Sequence, residues 1–269
     1  ANQKLEALRA RMAQEGMDAY MVPTSDFHES EYVGEHFKAR SYLSGFTGSA
    51  GVCVVLKDEA ELWTDGRYFI QAENQLRGTG IKLMKIAEPG VPTVEQFLAE
   101  KLPEGGCLGY DGRVVNTRTA QNLEKALAGR HARFAIDKDL VGEIWTDRPA
   151  LSAKPAFRLT DAQAGVTAKK KLALIRGDMA ENGADVLLLP TLGEIAWLLN
   201  LRGADIAYNP YLLAFAAVEK EQVLLFAQKK AVSDEVEASL AGDGVKLMPY
   251  DGVYDYIAGV PAGTTVWTD

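Results

Sequence analysis

Three stretches bring reactive side chains close together in the sequence. Trp63-Thr64-Asp65-Gly66-Arg67-Tyr68-Phe69 follows an apolar run with a carboxylate and a guanidinium two residues apart. Asp65 suits the N-cap of a helix over about 66–76, which puts Arg67 in the first turn at a strand's carboxyl end. Open α/β sheets bind ligands at that end, and an arginine fork can hold a carboxylate or carbonyl oxygen there. A plain exposed Asp65–Arg67 pair, which contributes little, accounts for the same residues, and a cation in a first turn opposes the helix dipole. Ser44-Gly45-Phe46-Thr47-Gly48-Ser49-Ala50-Gly51 is dense in glycine. It lacks the ending of a P-loop and the strand-before, helix-after setting of a dinucleotide loop. A tight turn into a strand over Val52–Leu56 fits better, with glycine accepting positive φ. Asp26-Phe27-His28-Glu29-Ser30-Glu31-Tyr32 combines acid, imidazole and phenol, and reads as a surface loop that orders against a partner.

Other chemistries lack their residues. The histidines are His28, His36 and His131; His28-Glu29 has no second histidine to complete a zinc-protease motif, and no Pro-Cys-x-x-Cys follows as in zinc deaminases. Cys53 and Cys107 each sit in an apolar run without Cys-x-x-Cys spacing. They read as small buried hydrophobes in strands, in keeping with a reducing cytoplasm. No metal ligand and no nucleophile–base pair emerges. With 37 acidic and 29 basic side chains the net charge is −8, which argues against nucleic acid as a partner. No apolar run approaches the roughly 20 residues that span a bilayer, and the charged, helix-patterned start does not resemble a signal peptide.

The elements that must position these residues are written twice. Residues 8–24 align without gaps to residues 175–191, with Arg9, Met12, Ala13, Gly16, Asp18, Pro23 and Thr24 identical in both copies. Leu5, Leu8 and Met12 form one helix face, Gly16 stops the helix, and Ala19–Val22 is a buried strand that Pro23 ends. Two further matches follow in order, residues 78–84 with 242–248 and residues 102–105 with 260–263. Alternating helices and short strands predict α/β layers. The expected division is a first domain over 1–148, a linker over 149–165 and a second domain over 166–269. Lys169–Lys171 reads as a solvated helix face, and Trp197, Leu198 and Leu199 as core. The second copy lacks the last helix and strand of the first, so the chain is expected to be a piece of a longer protein.

These residues also carry a resemblance. Leu43–Gly51 and Trp63–Phe69 resemble the N-terminal domain of the creatinase, prolidase and aminopeptidase P superfamily. His28–Tyr32 and Ile144–Pro149 resemble the matching loop and domain junction of its cytosolic, three-domain Xaa-Pro aminopeptidases. Glu194–Gly203 with Asn209-Pro210 is similar to their second domain, so the resemblance covers essentially the whole chain. It implies an α/β fold of two tandem creatinase N-terminal-like domains, each a mixed β-sheet flanked by helices, the second incomplete at its C-terminus.

The resemblance further implies a pita-bread catalytic domain beyond Asp269. That domain would hold a pair of divalent metal ions, expected to be manganese, whose bound hydroxide attacks the carbonyl before proline. None of those ligands has a counterpart here, so no catalytic residue, metal ligand or cofactor is assigned to this chain. Arg67 is the exception among site residues: it matches the family arginine by which the N-terminal domain reaches the cleft and contacts the peptide. The implied parent is a cytoplasmic, homodimeric peptidase acting on short peptides with proline second. This region would wall its cleft, support dimerisation and be inactive alone. The alternative is a stand-alone binding or assembly module of the same fold without peptidase activity. A creatinase-like amidinohydrolase parent fits less well, because that type resembles a single N-terminal domain joined directly to the catalytic one.

Overall fold

The computed structural model describes residues 2–268. The chain divides into two compact units, Ala1–Ala150 and Leu151–Asp269. The first runs α1 (Asn2–Gln14), β1 (Ala19–Pro23), α2 (Ala39–Ser44), β2 (Val52–Leu56), β3 (Ala60–Thr64), α3 (Phe69–Gln75), β4 (Lys82–Lys85), α4 (Val94–Lys101), β5 (Cys107–Gly109), α5 (Thr117–Leu127), β6 (Arg133–Ala135) and α6 (Leu140–Ile144). Its sheet has the order β4-β3-β2-β1-β5-β6. Only β2 is antiparallel to its neighbours, so β1, β3, β4 and β5 end at the same edge. Strand residues alternate between two cores. Tyr20, Val22, Cys53 and Leu62 pack with Leu5, Leu8, Leu43, Leu140 and Val141 on one face. Met21, Val54 and Trp63 pack with Phe97, Leu98, Leu123 and Leu127 on the other.

The second unit runs β7 (Phe157–Arg158), α7 (Asp161–Ala164), α8 (Ala168–Glu181), β8 (Val186–Leu189), α9 (Leu192–Leu198), β9 (Leu201–Arg202), β10 (Ala214–Val218), β11 (Val223–Ala227), α10 (Asp234–Ala241), β12 (Val245–Met248), α11 (Gly252–Ala258) and β13 (Val266–Thr268). Its main sheet, β12-β11-β10-β8-β13, repeats the order and directions of β4-β3-β2-β1-β5. The stretch after Pro149 is ordered, with β7 pairing β9.

The duplication extends to individual hydrogen bonds. Gly16 and Gly183, at φ +67° and +70°, follow the ends of α1 and α8. Asp18 exchanges bonds with Cys107: its N–H donates to Cys107 O and its carboxylate accepts from Cys107 N. Asp185 and Thr265 repeat both. Arg9 Nε donates to Leu56 O at 2.9 Å, and Arg176 Nε to Glu219 O at 2.8 Å, tying α1 and α8 to matching hairpins. Lys4 donates to Tyr42 O and lies over the Tyr42 ring; Lys171 does the same to Trp197.

That last pair corrects two expectations. Lys171 is buried, not solvated, because its ammonium also donates to Asn200 Oδ1 at 2.7 Å. Trp197 is 53% exposed, whereas Leu198 and Leu199 are core as expected. Helical spacing turns Trp197 outward from the face that buries Ile195 and Leu198.

Candidate functional site

The candidate site lies at the shared carboxyl edge of the first sheet. Thr64 closes β3 by donating its hydroxyl to Ala50 O at 2.7 Å. Asp65 is extended, and its carboxylate accepts from Arg67 N at 3.1 Å, which folds Gly66–Tyr68 into a 3₁₀ turn. The α-helix starts only at Phe69, so the helix expected over 66–76 is a turn followed by α3. The same carboxylate takes the Arg67 side chain in a fork, Nε to Oδ1 at 2.8 Å and Nη2 to Oδ2 at 2.9 Å. The Arg67 side chain remains 69% exposed, and its guanidinium lies 5.2 Å from the centre of the Tyr68 ring. The hydrogen bonds from Arg67 hold the Asp65 carboxyl below its ordinary range, and Asp65 raises Arg67 in turn. Asp65 uses two of the five guanidinium donors, leaving an end-on fork for a second planar oxygen acceptor.

The glycine-rich loop supports this turn from below. Ser49 and Tyr68 share a hydroxyl–hydroxyl bond of 2.6 Å, and Phe46 meets the Tyr68 ring edge-on at 5.9 Å. The loop is wrapped around Arg40, a residue the sequence did not single out. Arg40 is 3% exposed, donates to Thr24 Oγ1 at 2.8 Å and Phe46 O at 2.6 Å, and also bonds Gly48 O. Burial pushes the Arg40 guanidinium down to about 10. A loop that aims carbonyl oxygens at a cation is a poor anion cradle, in agreement with the turn reading. Its glycines serve different needs. Gly45, at φ +77°, ends α2, whereas a Cβ at Gly48 would lie 2.3 Å from the Phe46 ring and one at Gly51 2.8 Å from Trp63 O.

A second turn of the same build follows β5. Asp111 accepts from Arg113 N at 3.0 Å, Nε at 2.9 Å and Nη2 at 2.9 Å. The recurrence of Asp-Gly-Arg after a strand was the available signal for it. Arg113 differs from Arg67 in lying 4.6 Å over the Phe27 ring and 3.8 Å from Asp139. The 26–32 loop is anchored at its start, while Glu29, Glu31 and Tyr32 stay exposed. Asp26 and His28 are 2% and 4% exposed, and Asp26 Oδ1 accepts from His28 N and Ser30 N, both at 2.9 Å. Cys53 and Cys107 are buried in β2 and β5; burial raises both thiols, Cys53 to about 12. Among the described residues no three His, Cys, Asp or Glu side chains converge on a possible metal position, and no helix is long and apolar enough to cross a membrane.

Comparison with known proteins places this architecture. The creatinase/prolidase N-terminal domain pattern matches residues 4–140 and again residues 147–269. Aminopeptidase P2 of Arabidopsis thaliana is 38% identical over 97% of this chain, which spans 37% of that protein. A probable Xaa-Pro aminopeptidase P of Coprinopsis cinerea is 38% identical over the whole chain, which spans 43% of it. Among solved structures, the X-prolyl aminopeptidase of Caenorhabditis elegans, described as a cytosolic enzyme with a di-nuclear active site, superimposes with a TM-score of 0.90. It is 34% identical, over 95% of this chain and 43% of that one. The chain thus spans about two fifths of the relatives it matches. It belongs to the creatinase/prolidase N-terminal domain family, carries that domain twice in tandem, and is homologous to the N-terminal region of the Xaa-Pro aminopeptidases.

Proposed function

We propose that this chain is the non-catalytic N-terminal region of a metal-dependent Xaa-Pro aminopeptidase, with a first domain over 1–148, a linker over 149–165 and a second domain over 166–269. The parent removes the residue before proline from short peptides in the cytoplasm and acts as a homodimer. This region walls the cleft. The metal pair, expected to be manganese, would be held by the catalytic part of the parent, outside this region.

One observation carries the reading at the level of a side chain. Arg67 is exposed, permanently cationic and pre-oriented by Asp65 at the carboxyl edge of β3. Little conformational entropy remains to be lost when a peptide carbonyl or carboxylate takes its free fork. The internal repeat supports a dedicated role. Strand register matches Asp65 and Arg67 with Gln228 and Lys230 in the second unit. There too a 3₁₀ turn follows the strand, but no side chain caps it and Gln228 donates to Ser152 O instead. The turn therefore forms without the clamp, and the clamp is an addition in the first unit.

The test is steady-state kinetics of the full-length enzyme on an Xaa-Pro tripeptide. Arg67→Ala is expected to lower kcat/KM by about 10- to 100-fold, and Arg67→Lys by less, since an ammonium keeps the charge and loses the fork. Wild-type kinetics in both variants would remove Arg67 from the substrate's path.

A further inference from the structure

Two rings of the second unit have no counterpart in the first. Val52 pairs with Trp63 and Phe215 with Phe226, while Trp63 and Phe226 pair with Met84 and Met248. Register therefore matches Val52 with Phe215, and two residues beyond the methionines it matches Ile86 with Tyr250. In the second unit Phe215 and Tyr250 are buried with their ring centres 5.3 Å apart, and α11 starts close by at Gly252. In the first unit Val52 and Ile86 hold the places of both rings, and Ile86 is 46% exposed.

The chain also takes a longer path there. Met84 and Pro103 are 19 positions apart and Met248 and Pro261 13, so the first unit carries six extra residues. Counted back from the matched prolines, Val94 stands for Gly252, which places the extra residues between Ile86 and α4. Ala87 in this loop takes the left-handed region at φ +68°, at a cost in strain for a residue with a Cβ. Trp63 Nε1 pins the loop by donating to Pro92 O at 2.8 Å. Together Val52, Trp63, Ile86, Val91, Pro92 and Leu123 wall an apolar pocket of about 330 Å³. The pocket lies at the sheet edge that carries Arg67: Ile86 N donates to Thr64 O at 3.0 Å, and Asp65 comes next in the chain.

We propose that this pocket takes an aromatic side chain of the peptide substrate, from a residue C-terminal to the proline. The filled copy shows what this place in the fold accommodates, since the second unit packs two rings of its own there. A recess governed by packing alone would be filled likewise, because interiors leave few voids. The first unit instead has smaller side chains and a pinned loop that walls the space. Apolar walls at the carboxyl edge of an open α/β sheet are the usual setting for a ligand. Among the described residues that line the pocket Glu95 is the one charged side chain, which suits a neutral ring and opposes an acidic group. The pocket rests on the comparison of the two copies; the substrate as the source of the ring rests on the peptidase reading.

The test reads the pocket directly and then the enzyme. In this chain N-acetyl-phenylalanine amide is expected to give saturable NMR shifts at the Ile86 methyl and at Trp63 Nε1–H, and N-acetyl-alanine amide none. Ile86→Tyr, which copies Tyr250 at a half-exposed position, should fill the pocket and remove the Trp63 shift. In the full-length enzyme, Ala-Pro-Phe-Ala or Ala-Pro-Ala-Phe should exceed Ala-Pro-Ala-Ala in kcat/KM by about 10-fold, mostly through KM. Ile86→Tyr should bring that ratio close to one. No shift at Trp63 would overturn the pocket. A shift without the aromatic preference would overturn the substrate as the source of the ring. Absence of turnover on all three peptides would fall on the peptidase reading, and the Trp63 shift would still decide the pocket.

Discussion

The loop before the second strand is built on opposite charges in the two units. In the first, buried Arg40 donates to the oxygens of Thr24, Phe46 and Gly48. In the second, buried Asp205 accepts from Ser152 Oγ, Lys154 N and Leu213 N at 2.6–2.9 Å. Each loop is irregular backbone folded inward, and each must satisfy its inward-facing polar groups without water. A cation serves where carbonyls point in, an anion where amides do. The fold thus dictates that a charge be buried at this place and leaves its sign to the loop's path.

The largest expected effects come from removing these charges. Arg40→Met takes the donor from the Phe46 and Gly48 carbonyls, and should cost the first unit about 3 kcal/mol. Asp205→Ala strands two amides and should cost the second unit a similar amount. Urea unfolding with hydrogen exchange read at residues 44–51 and 205–213 separates the two. If either variant loosened both loops equally, the units would not be independent supports.

The two sheets differ again at one matched core position. Glu61 on β3 is 2% exposed, and strand register matches it with Leu224 on β11. Burial first, then the neighbouring Glu59, raise the Glu61 carboxyl from 4.5 to about 7. Its folded value lies above its unfolded one, so the native state holds the extra proton. The stability this contributes is complete below about pH 4.5 and is lost as pH rises through about 7. Glu61→Leu, which copies the second unit, should stabilise the protein at pH 8 by about 1–3 kcal/mol, with a smaller gain at pH 5. Thermal melts at the two pH values decide it; a gain independent of pH would mean that apolar packing, not ionisation, sets the cost.

What could be read from sequence follows the same division. The duplicated helix–strand unit was legible because its signals are local: the apolar face of Leu5, Leu8 and Met12, the left-handed Gly16, and Pro23 at the strand's end. The matched pairs Gly105/Gly263 and Met84/Met248 were legible for the same reason, and register confirms the second. Arg67 could be picked out because capping acts within three residues. Arg40 and Lys171 could not, since their roles depend on carbonyls brought in by tertiary packing, and sequence alone makes a lone arginine or a run of lysines look solvated. Trp197 misled in the other direction: apolar neighbours suggested core, but its exposure depends on what covers the helix.

The smallest expected effect bears on the clamp itself. Arg40 and Arg67 lie on either side of the same loop, yet only Arg40 is enclosed. An exposed ion pair two residues apart is solvated in the unfolded chain almost as well as in the folded one, so its loss changes little. Arg67→Ala should therefore leave the Tm within about 1 °C of wild type, while Arg40→Met lowers it by several degrees. Asp65→Asn keeps one acceptor for the turn but weakens the fork, and should likewise melt normally. The contrast matters because a kinetic defect in Arg67→Ala is informative only in a protein that is otherwise intact. A fall in Tm comparable to that of Arg40→Met would make Arg67 a second brace for the glycine-rich loop, and its kinetics would then report folding rather than contact with a peptide.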